Sequence, residues 1–147
     1  MITKNLVNAT VSVEDLLIKY GYSFKETSIR IDKKFLMKSY NRVWIKNISD
    51  DQKYICEISH GIGYKVRSRS VGVSIINSKT QGLFSVNEYI FKKHVGRMRA
   101  PRSAKNYSDR LKVVTHNTNV LAEVIEKDLE DLFLGKVWLG SNIHTQD

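Results

Sequence analysis

The chain has 147 residues, the size of one ordinary domain, and its 41% hydrophobic content excludes a disordered tail. Its 24 Lys and Arg outnumber 15 Asp and Glu, so a net charge of +9 predicts a polyanionic partner, most commonly nucleic acid, with a solvated basic surface as the alternative. The single cysteine excludes a disulfide framework and a cysteine-built zinc site. Neither a membrane span of roughly 20 apolar residues nor a signal peptide is recognisable, so a cytoplasmic location is expected.

A helix is the first element predicted along the chain. Its apolar positions are spaced i, i+3, i+4 and i+7, at Val13, Leu16, Leu17 and Tyr20. The pattern predicts a helix over residues 13–20, with Ser12 as its N-cap and Gly21 at its end. The following segment, residues 23–42, is ambiguous, because it first alternates like a strand and then permits a short helix capped by Asp32.

Alternation with a period of two begins at residue 42 and predicts a series of strands. The strands are RVWIKNI, KYICEIS, YKVRSRS and VGVSII, separated by turns at SDD, HGIG and NSKTQG. This places His60 in a turn and Cys56 on an apolar strand face, as a core residue. Lys65, Arg67 and Arg69 share one face of their strand, which suits contact with phosphates, although a solvated face is equally compatible.

A short helix and a further strand are predicted next. Ser85 and Glu88 have the spacing of a capping box, which predicts that a helix begins at residue 86. RLKVVT, residues 110–115, alternates and predicts a strand. The region around these elements is strongly basic, with cations at Lys92, Lys93, Arg97, Arg99, Arg102, Lys105, Arg110 and Lys112.

The last predicted element is an acidic helix over residues 119–133, capped by Asn117 or Thr118. Its buried stripe comprises Leu121, Ile125, Leu129, Leu132 and Phe133, and Trp138 is expected in the core beyond it. This order of elements predicts an α+β fold of short antiparallel strands and hairpins with flanking helices. The chain is expected to form an N-terminal helical and basic segment, 1–41, followed by an α+β domain, 42–147, or one continuous domain.

Three stretches between residues 42 and 120 follow one known order of motifs. In WIKNISDDQKYICEISHGIGYKVRSR the matching positions are Trp44, Ile48, Tyr54, Gly61, Val66 and Ser68. GVSIINSKTQGLFSVNEYIFKKHV reads as strand, glycine-containing turn, strand and short helix. NYSDRLKVVTHNTNV follows N-x-x-x-N-L-R-x-V-T-x-x-x-N at Asn106, Leu111, Lys112, Val114, Thr115 and Asn119, with Arg110 replacing the second Asn. In this order the stretches resemble the HNH homing endonucleases of phages and introns.

The resemblance implies a ββα-metal core, in which a hairpin and a helix hold one divalent metal for phosphodiester cleavage. In that family an Asp–His pair begins the hairpin, where the Asp binds the metal and the His is the general base. Asn106 matches the Asn that orients the base, and Asn119 matches the last metal ligand. The metal-binding Asp falls on Arg97, or on Lys93 before His94 if the loop is longer, so a cation replaces the carboxylate and repels the metal.

The expected function is therefore DNA binding by a degenerate HNH-like protein of phage or mobile-element type, which grips duplex DNA without cleavage and without a cofactor. The residues expected to contact nucleic acid are Lys65, Arg67, Arg69, Lys92, Lys93, Arg97, Arg99, Arg102, Lys105, Arg110 and Lys112. One alternative is an enzyme: an HNH nicking endonuclease with His94 and Asn106 as catalytic residues and Asn119 binding Mg²⁺ or Mn²⁺, or a metal-free ribonuclease using His94, His116 and a nearby Lys. Another is an inhibitor whose basic surface binds an acidic protein in the host cytoplasm.

Overall fold

A computed structural model describes residues 8–32, 37–63, 71–99 and 107–141, with no account of the side chains at positions 32, 37–38, 61–63 and 107–110. Within these ranges the chain forms five strands and four helices. In chain order they are α1 (Val11–Lys19), β1 (Ser23–Asp32), β2 (Met37–Ser49), β3 (Gln52–Gly63), β4 (Gly72–Asn77), β5 (Gly82–Ser85), α2 (Val86–Lys93), α3 (Tyr107–Asp128) and α4 (Glu130–Phe133). The predicted α+β class is therefore confirmed.

The strands form one antiparallel sheet in the order β1-β2-β3-β4-β5, so each strand pairs with the next along the chain. The prediction that HGIG forms a turn is wrong, because β3 continues to Gly63. His60 is buried in β3 and lies opposite Tyr40 of β2. Glycines usually interrupt a strand, but here the ladder with β2 outweighs that preference.

The ambiguous segment after α1 is a strand. Residues 23–32 form β1 in register with β2, and residues 37–41 already belong to β2, so a helix reaching residue 40 is wrong. The predicted strands at RVWIKNI, KYICEIS and VGVSII are confirmed, as is the turn at NSKTQG. The predicted strand YKVRSRS, residues 64–70, lies outside the described residues.

One face of the sheet packs against the helices and forms the core. A row of side chains crosses this inner face in register, at Trp44, Cys56, Ile75 and Phe84. Cys56 is fully buried, as predicted, and burial raises the pKa of its thiol. The predicted helical stripe is also buried, each of its large side chains contributing about 1.5–3 kcal/mol of transfer free energy: Leu121, Ile125, Leu129, Leu132 and Phe133. Trp138 is partly buried against this core, and its ring centroid lies 5.4 Å from that of Tyr54.

Three helices lie side by side on the inner face. α1 covers β2, because the Glu14 carboxylate accepts hydrogen bonds from Arg42 and Trp44. α2 lies against β4, where Asn87 Oδ1 accepts from the Val73 amide at 2.9 Å. α3 lies between these two helices, since it contacts both α1 and α2.

The two predicted helix starts have different outcomes. At α2 the prediction is confirmed: the Ser85 hydroxyl accepts from the Glu88 amide at 3.3 Å. At α1 it is wrong, because the N-cap is Thr10, whose side chain makes no capping hydrogen bond. Ser12 lies inside α1, where its hydroxyl donates to Asn119 Oδ1 of α3 at 2.9 Å.

The largest correction concerns the start of α3. The segment RLKVVT is helical, not a strand, because α3 begins at Tyr107 and runs without a break to Asp128. Asn117 and Thr118 are therefore buried inside the helix and do not cap it. The Thr118 hydroxyl donates to the carbonyl of Val114 one turn earlier, at 2.7 Å. Packing decides this segment, since its valines continue the apolar face of the later helix: Val113, Val114, Val120 and Val124.

Candidate nucleic-acid interface

The first feature of the candidate site is the end of the sheet at Asp32, Met37 and Gly63, which we call the hairpin end. Asp32 pairs with Met37, and Met37 pairs with Gly63, so these residues lie side by side on neighbouring strands. The other end of β1 begins at Ser23, immediately after α1. The described parts of β1 and β3 end, and that of β2 begins, at the hairpin end, next in sequence to residues 33–36 and 64–70.

The helix α3 begins toward the hairpin end. Ser12 contacts Asn119, and seven residues later Lys19 lies 3.9 Å from Glu126, which follows Asn119 by the same number of residues. The helices α1 and α3 therefore run parallel. The C-terminus of α1 leads into the start of β1, which is the end of the sheet opposite the hairpin end. The first residue of α3 precedes Asn119 by twelve positions. It therefore lies about 18 Å from Asn119 along the helix axis, in the direction of the hairpin end.

The second feature is the segment 94–99, which crosses the side of α3 from Asp128 back to Asn117. Asn117 is fully buried, and its amide oxygen accepts from the Arg99 amide at 2.7 Å. The same amide group donates to the Arg99 carbonyl at 3.0 Å, so one side chain satisfies both backbone groups. His116 adds a contact of 3.2 Å between its Nε2 and the Arg97 carbonyl. These contacts fix the backbone of the segment at the base of the Arg99 side chain, which is exposed.

His94 is paired with an acidic residue of α3. Its Nε2 lies 2.7 Å from Asp128 Oδ2, and the Tyr89 hydroxyl donates to the same oxygen at 3.0 Å. The hydrogen bonds from His94 and then Tyr89 hold the pKa of Asp128 below its usual range. The sequence has no acid near His94 between residues 89 and 108, and the fold supplies one from thirty-four positions later.

Arg97 is also paired with an acid of α3. Its Nη2 lies 2.6 Å from Glu123 Oε2, while Lys127 donates to the other carboxylate oxygen at 2.9 Å. Lys127 and Arg97 together lower the pKa of Glu123 to about 2. Arg97 is therefore already neutralised within the molecule, which makes it a poorer phosphate contact than the sequence pattern indicates.

The remaining predicted cations divide into two groups. Lys92 and Lys93 are exposed in the last turn of α2, beside His94, and Lys112 is exposed on α3 about 10 Å beyond Asn119 toward the hairpin end. The other predicted site residues lie outside the described residues or have undescribed side chains: Lys65, Arg67, Arg69, Arg102, Lys105, Asn106 and Arg110.

The predicted catalytic and metal-binding residues do not come together where the structure describes them. Asn119 and Asp128, the partner of His94, are nine positions apart on α3, which is two and a half turns. Their side chains therefore leave opposite sides of the helix, about 13 Å apart along its axis. The side chains described here contain no group of three or more His, Cys, Asp or Glu that could hold a metal ion. They therefore do not fit a centre shared by His94 and Asn119.

The hairpin required by the HNH resemblance directly before the last helix is also not formed by residues 107–115, which are helical. A strand–turn–strand–helix order does occur earlier, in β4, β5 and α2. That unit contains Asn77 and Asn87, but both side-chain oxygens accept hydrogen bonds from backbone amides.

Sequence reasoning missed the three side chains of α3 that organise the segment 94–99: Asn117, Glu123 and Asp128. The only available signal was indirect, since a buried Asn inside a helix requires a partner outside the helix backbone.

None of the described helices is long and apolar enough to cross a membrane. The chain matches no protein-family profile, no curated protein and no solved structure.

Proposed function

We propose that this chain binds duplex DNA, mainly through phosphate contacts at the hairpin end, and does not cleave it. The observation that carries the proposal is the distribution of charge relative to that end. Residues 33–38, 64–70 and 102–112 contain ten Lys or Arg and one acidic residue, Asp109. The described residues that flank these segments lie at the hairpin end or, for α3, begin toward it.

The opposite end of the molecule carries charges of both signs, among them the ion pairs Lys79–Asp51 and Lys136–Asp131, and this contrast with the almost purely basic segments supports a directed interaction. Asp50 and Asp51 form the turn between β2 and β3, and the end of α3 continues into α4 with Glu130 and Asp131. Such a polarised molecule orients its basic end toward a polyanion during encounter.

The charge order along α3 supports the same proposal. Arg110 and Lys112 outnumber Asp109 in the N-terminal half of α3, whereas Glu123, Glu126 and Asp128 outnumber Lys127 in the C-terminal half. This order is opposite to the one that favours the helix macrodipole, in which acids lie at the N-terminus and cations at the C-terminus. A cation at this end adds to the positive field of the helix start, and an external phosphate would offset both.

In its finer form, the proposal is a degenerate HNH-like DNA-binding protein of phage or mobile-element type. The sequence motifs of residues 42–69 and the strand–turn–strand–helix order of residues 72–93 support this form. The helical conformation of residues 107–115 opposes the part of it that relies on the end motif. Phosphate binding by the hairpin end does not depend on that ancestry.

Fluorescence anisotropy with a labelled DNA duplex tests the proposal. Each neutralised phosphate contributes about −0.9 to the slope of log K against log salt, so six contacts predict a slope near −5. The double variant Arg99→Glu/Lys112→Glu should weaken binding to all sequences alike, because phosphate contacts carry no direct sequence information. Both side chains are exposed, and Glu at position 112 suits the helix dipole, so the fold should persist.

Lys53→Glu is the matched control, because Lys53 is exposed at the opposite end of the sheet, where it pairs with Asn47. It changes net charge by two units per substitution, as each change of the double variant does. Equal weakening per substitution by the control and the double variant would show that only net charge matters, and binding that is flat in salt would contradict phosphate contacts altogether.

A second candidate function is hydrolysis of nucleic acid, and the His94–Asp128 pair favours it. A carboxylate that holds one ring nitrogen of a partly exposed His leaves the other nitrogen available as a general base. The test is nicking of supercoiled plasmid in Mg²⁺, Mn²⁺ or EDTA, together with cleavage of single-stranded RNA. Activity that is lost in His94→Ala and retained in His116→Ala would establish this function, and no activity on either substrate would remove it.

A further inference from the structure

The edge strand β1 and the helix α1 form an uncovered apolar corner. Among the described strands β1 pairs only with β2, and none of them lies along its other edge. The side chains of Phe24 and Ile29 lie on the inner face, since they are in register with Trp44 and Tyr40. Three large apolar side chains of β1 are nevertheless exposed: Phe24 (45%), Ile29 (57%) and Ile31 (64%).

The other side of this corner is formed by two exposed apolar residues of α1. Val11 and Ile18 are seven residues apart, which places them on the same side of the helix, and they are 48% and 60% exposed. Ser12 and Lys19 contact α3 on one flank of α1. Because Glu14 points to β2 and α3 lies toward β4, Val11 and Ile18 lie on the flank nearest β1.

We propose that this corner binds a second copy of the chain, and that the two β1 strands pair antiparallel across a two-fold axis at Ser28. A ten-residue strand that has one apolar face, and one edge that no described strand pairs, is the kind of strand that pairs with another unless it is covered. A two-fold axis perpendicular to the sheet keeps both inner faces on the same side. The result is one sheet of ten strands.

Charge complementarity selects this register. With Ser28 opposite Ser28 of the second copy, Glu26 lies opposite Arg30 of that copy, and Arg30 lies opposite its Glu26. Glu26 and Arg30 both lie on the outer face, in register with Val43 and Ser39. A shift of two residues in either direction leaves neither charge with an opposite partner. Arg30 also lies 3.5 Å from Glu57 within its own chain and is exposed enough to contact both carboxylates.

The geometry of the inner face accommodates both copies. Each α1 lies over its own β2, so three strand spacings, about 14 Å, separate the two helices. This exceeds the 8–10 Å of directly packed helices, and the apolar side chains of the two β1 strands fill the space between them. Five exposed apolar side chains of each copy are then covered: Val11, Ile18, Phe24, Ile29 and Ile31.

A cysteine at the two-fold axis tests the register directly. Opposite residues of an antiparallel pair have Cα atoms about 4.5–5.5 Å apart, which permits a disulfide. Ser28→Cys should therefore form a covalent dimer on mild oxidation, whereas the exposed control Asp50→Cys should remain monomeric on a non-reducing gel. The native Cys56 is buried and does not compete. Equal cross-linking of both variants, or of neither, overturns the proposed register.

Analytical ultracentrifugation over a range of concentrations tests whether the chain dimerises through this corner. The wild type should be a reversible dimer, and Ile29→Lys should be a monomer with an unchanged circular dichroism spectrum. Val95→Lys is the matched control, because Val95 is 82% exposed after α2, and it should remain dimeric. A monomeric wild type at 100 μM, a concentration on the order of those used for weak dimers, overturns the proposal, as does a dimer unaffected by Ile29→Lys.

Exchanging the two charges distinguishes loss of the contact between Glu26 and Arg30 of the second copy from a general effect of the substitutions on β1. Glu26→Arg should weaken the dimer by placing two Arg opposite each other, and so should Arg30→Glu. The double variant Glu26→Arg/Arg30→Glu should restore it. Arg30→Glu and the double variant lose the same contact with Glu57, so their difference reports only the contact between copies. Failure of the double variant to restore the dimer contradicts the pairing.

This inference is independent of DNA binding. Antiparallel pairing of β1 points the two hairpin ends in opposite directions, away from the two-fold axis. Ile29→Lys should therefore retain the affinity of a single chain for a short duplex, and Arg99→Glu/Lys112→Glu should retain the dimer. Each proposal is thus tested by variants that leave the other unaffected.

Discussion

Replacing Glu14 with Ala should cause a large loss of stability, because Glu14 is the buried acidic partner of Arg42. Glu14 is 4% exposed. Its carboxylate accepts hydrogen bonds from Arg42 and from Trp44 Nε1, the latter at 3.3 Å. Removing it leaves the Arg42 guanidinium, whose side chain is 12% exposed, with Thr27 and the Phe24 ring as neighbours but no carboxylate. Breaking a buried pair in this way costs about 3–5 kcal/mol.

The expected shift in melting temperature follows from the size of the chain. Unfolding entropy is about 2.1 cal/mol/K per residue, or about 0.3 kcal/mol/K for this length. A loss of 3–5 kcal/mol therefore lowers the midpoint by about 10–16 °C. The gain in helix propensity from Ala acts in the opposite direction and is much smaller.

Differential scanning calorimetry and urea unfolding measure this effect, with Glu57→Ala as the control. Glu57 pairs with Arg30 at 3.5 Å on the outer face, and the Arg30 side chain is mostly exposed, so loss of this pair should cost less than about 1 kcal/mol. The double variant Glu14→Leu/Arg42→Met should recover most of the lost stability, because it removes both buried charges together. If Glu14→Ala lowers the midpoint no more than Glu57→Ala does, the buried pair does not hold α1 on the sheet.

Three further outcomes are expected. Asn117→Ala should lower the free energy of unfolding by about 1–3 kcal/mol and speed hydrogen exchange at the Arg99 amide. Unchanged exchange would show that Asn117 does not hold this amide. The carboxyl of Glu123 should titrate near pH 2 by NMR, and its stabilising effect should be complete above about pH 4.3 and lost as the pH falls toward 2; in Lys127→Ala the midpoint should rise. Cys56 should resist alkylation by iodoacetamide in the native protein and react only on unfolding, because it is buried and the pKa of its thiol is raised; rapid native labelling would contradict this.

Local patterns in the sequence predicted the elements whose residues interact over short distances along the chain. The helix start at Ser85, whose hydroxyl accepts from the Glu88 amide, involves residues of a single turn, and it was predicted correctly. The same holds for Cys56 as a core residue and for the buried stripe of the last helix, because alternation and helical spacing report directly which side chains face inward. These observations sufficed for the α+β class.

The tertiary structure decided what depends on residues far apart in the sequence. Residues 110–115 are too few to distinguish a strand from a helix by periodicity, and packing of their valines against the core makes them helical. Likewise, the acids that accompany His94 and Arg97 follow them by 34 and 26 positions, so no local motif contains either pair. The sequence by itself therefore determined how much positive charge the chain carries and in which segments, and the fold determined which cations remain available to a partner.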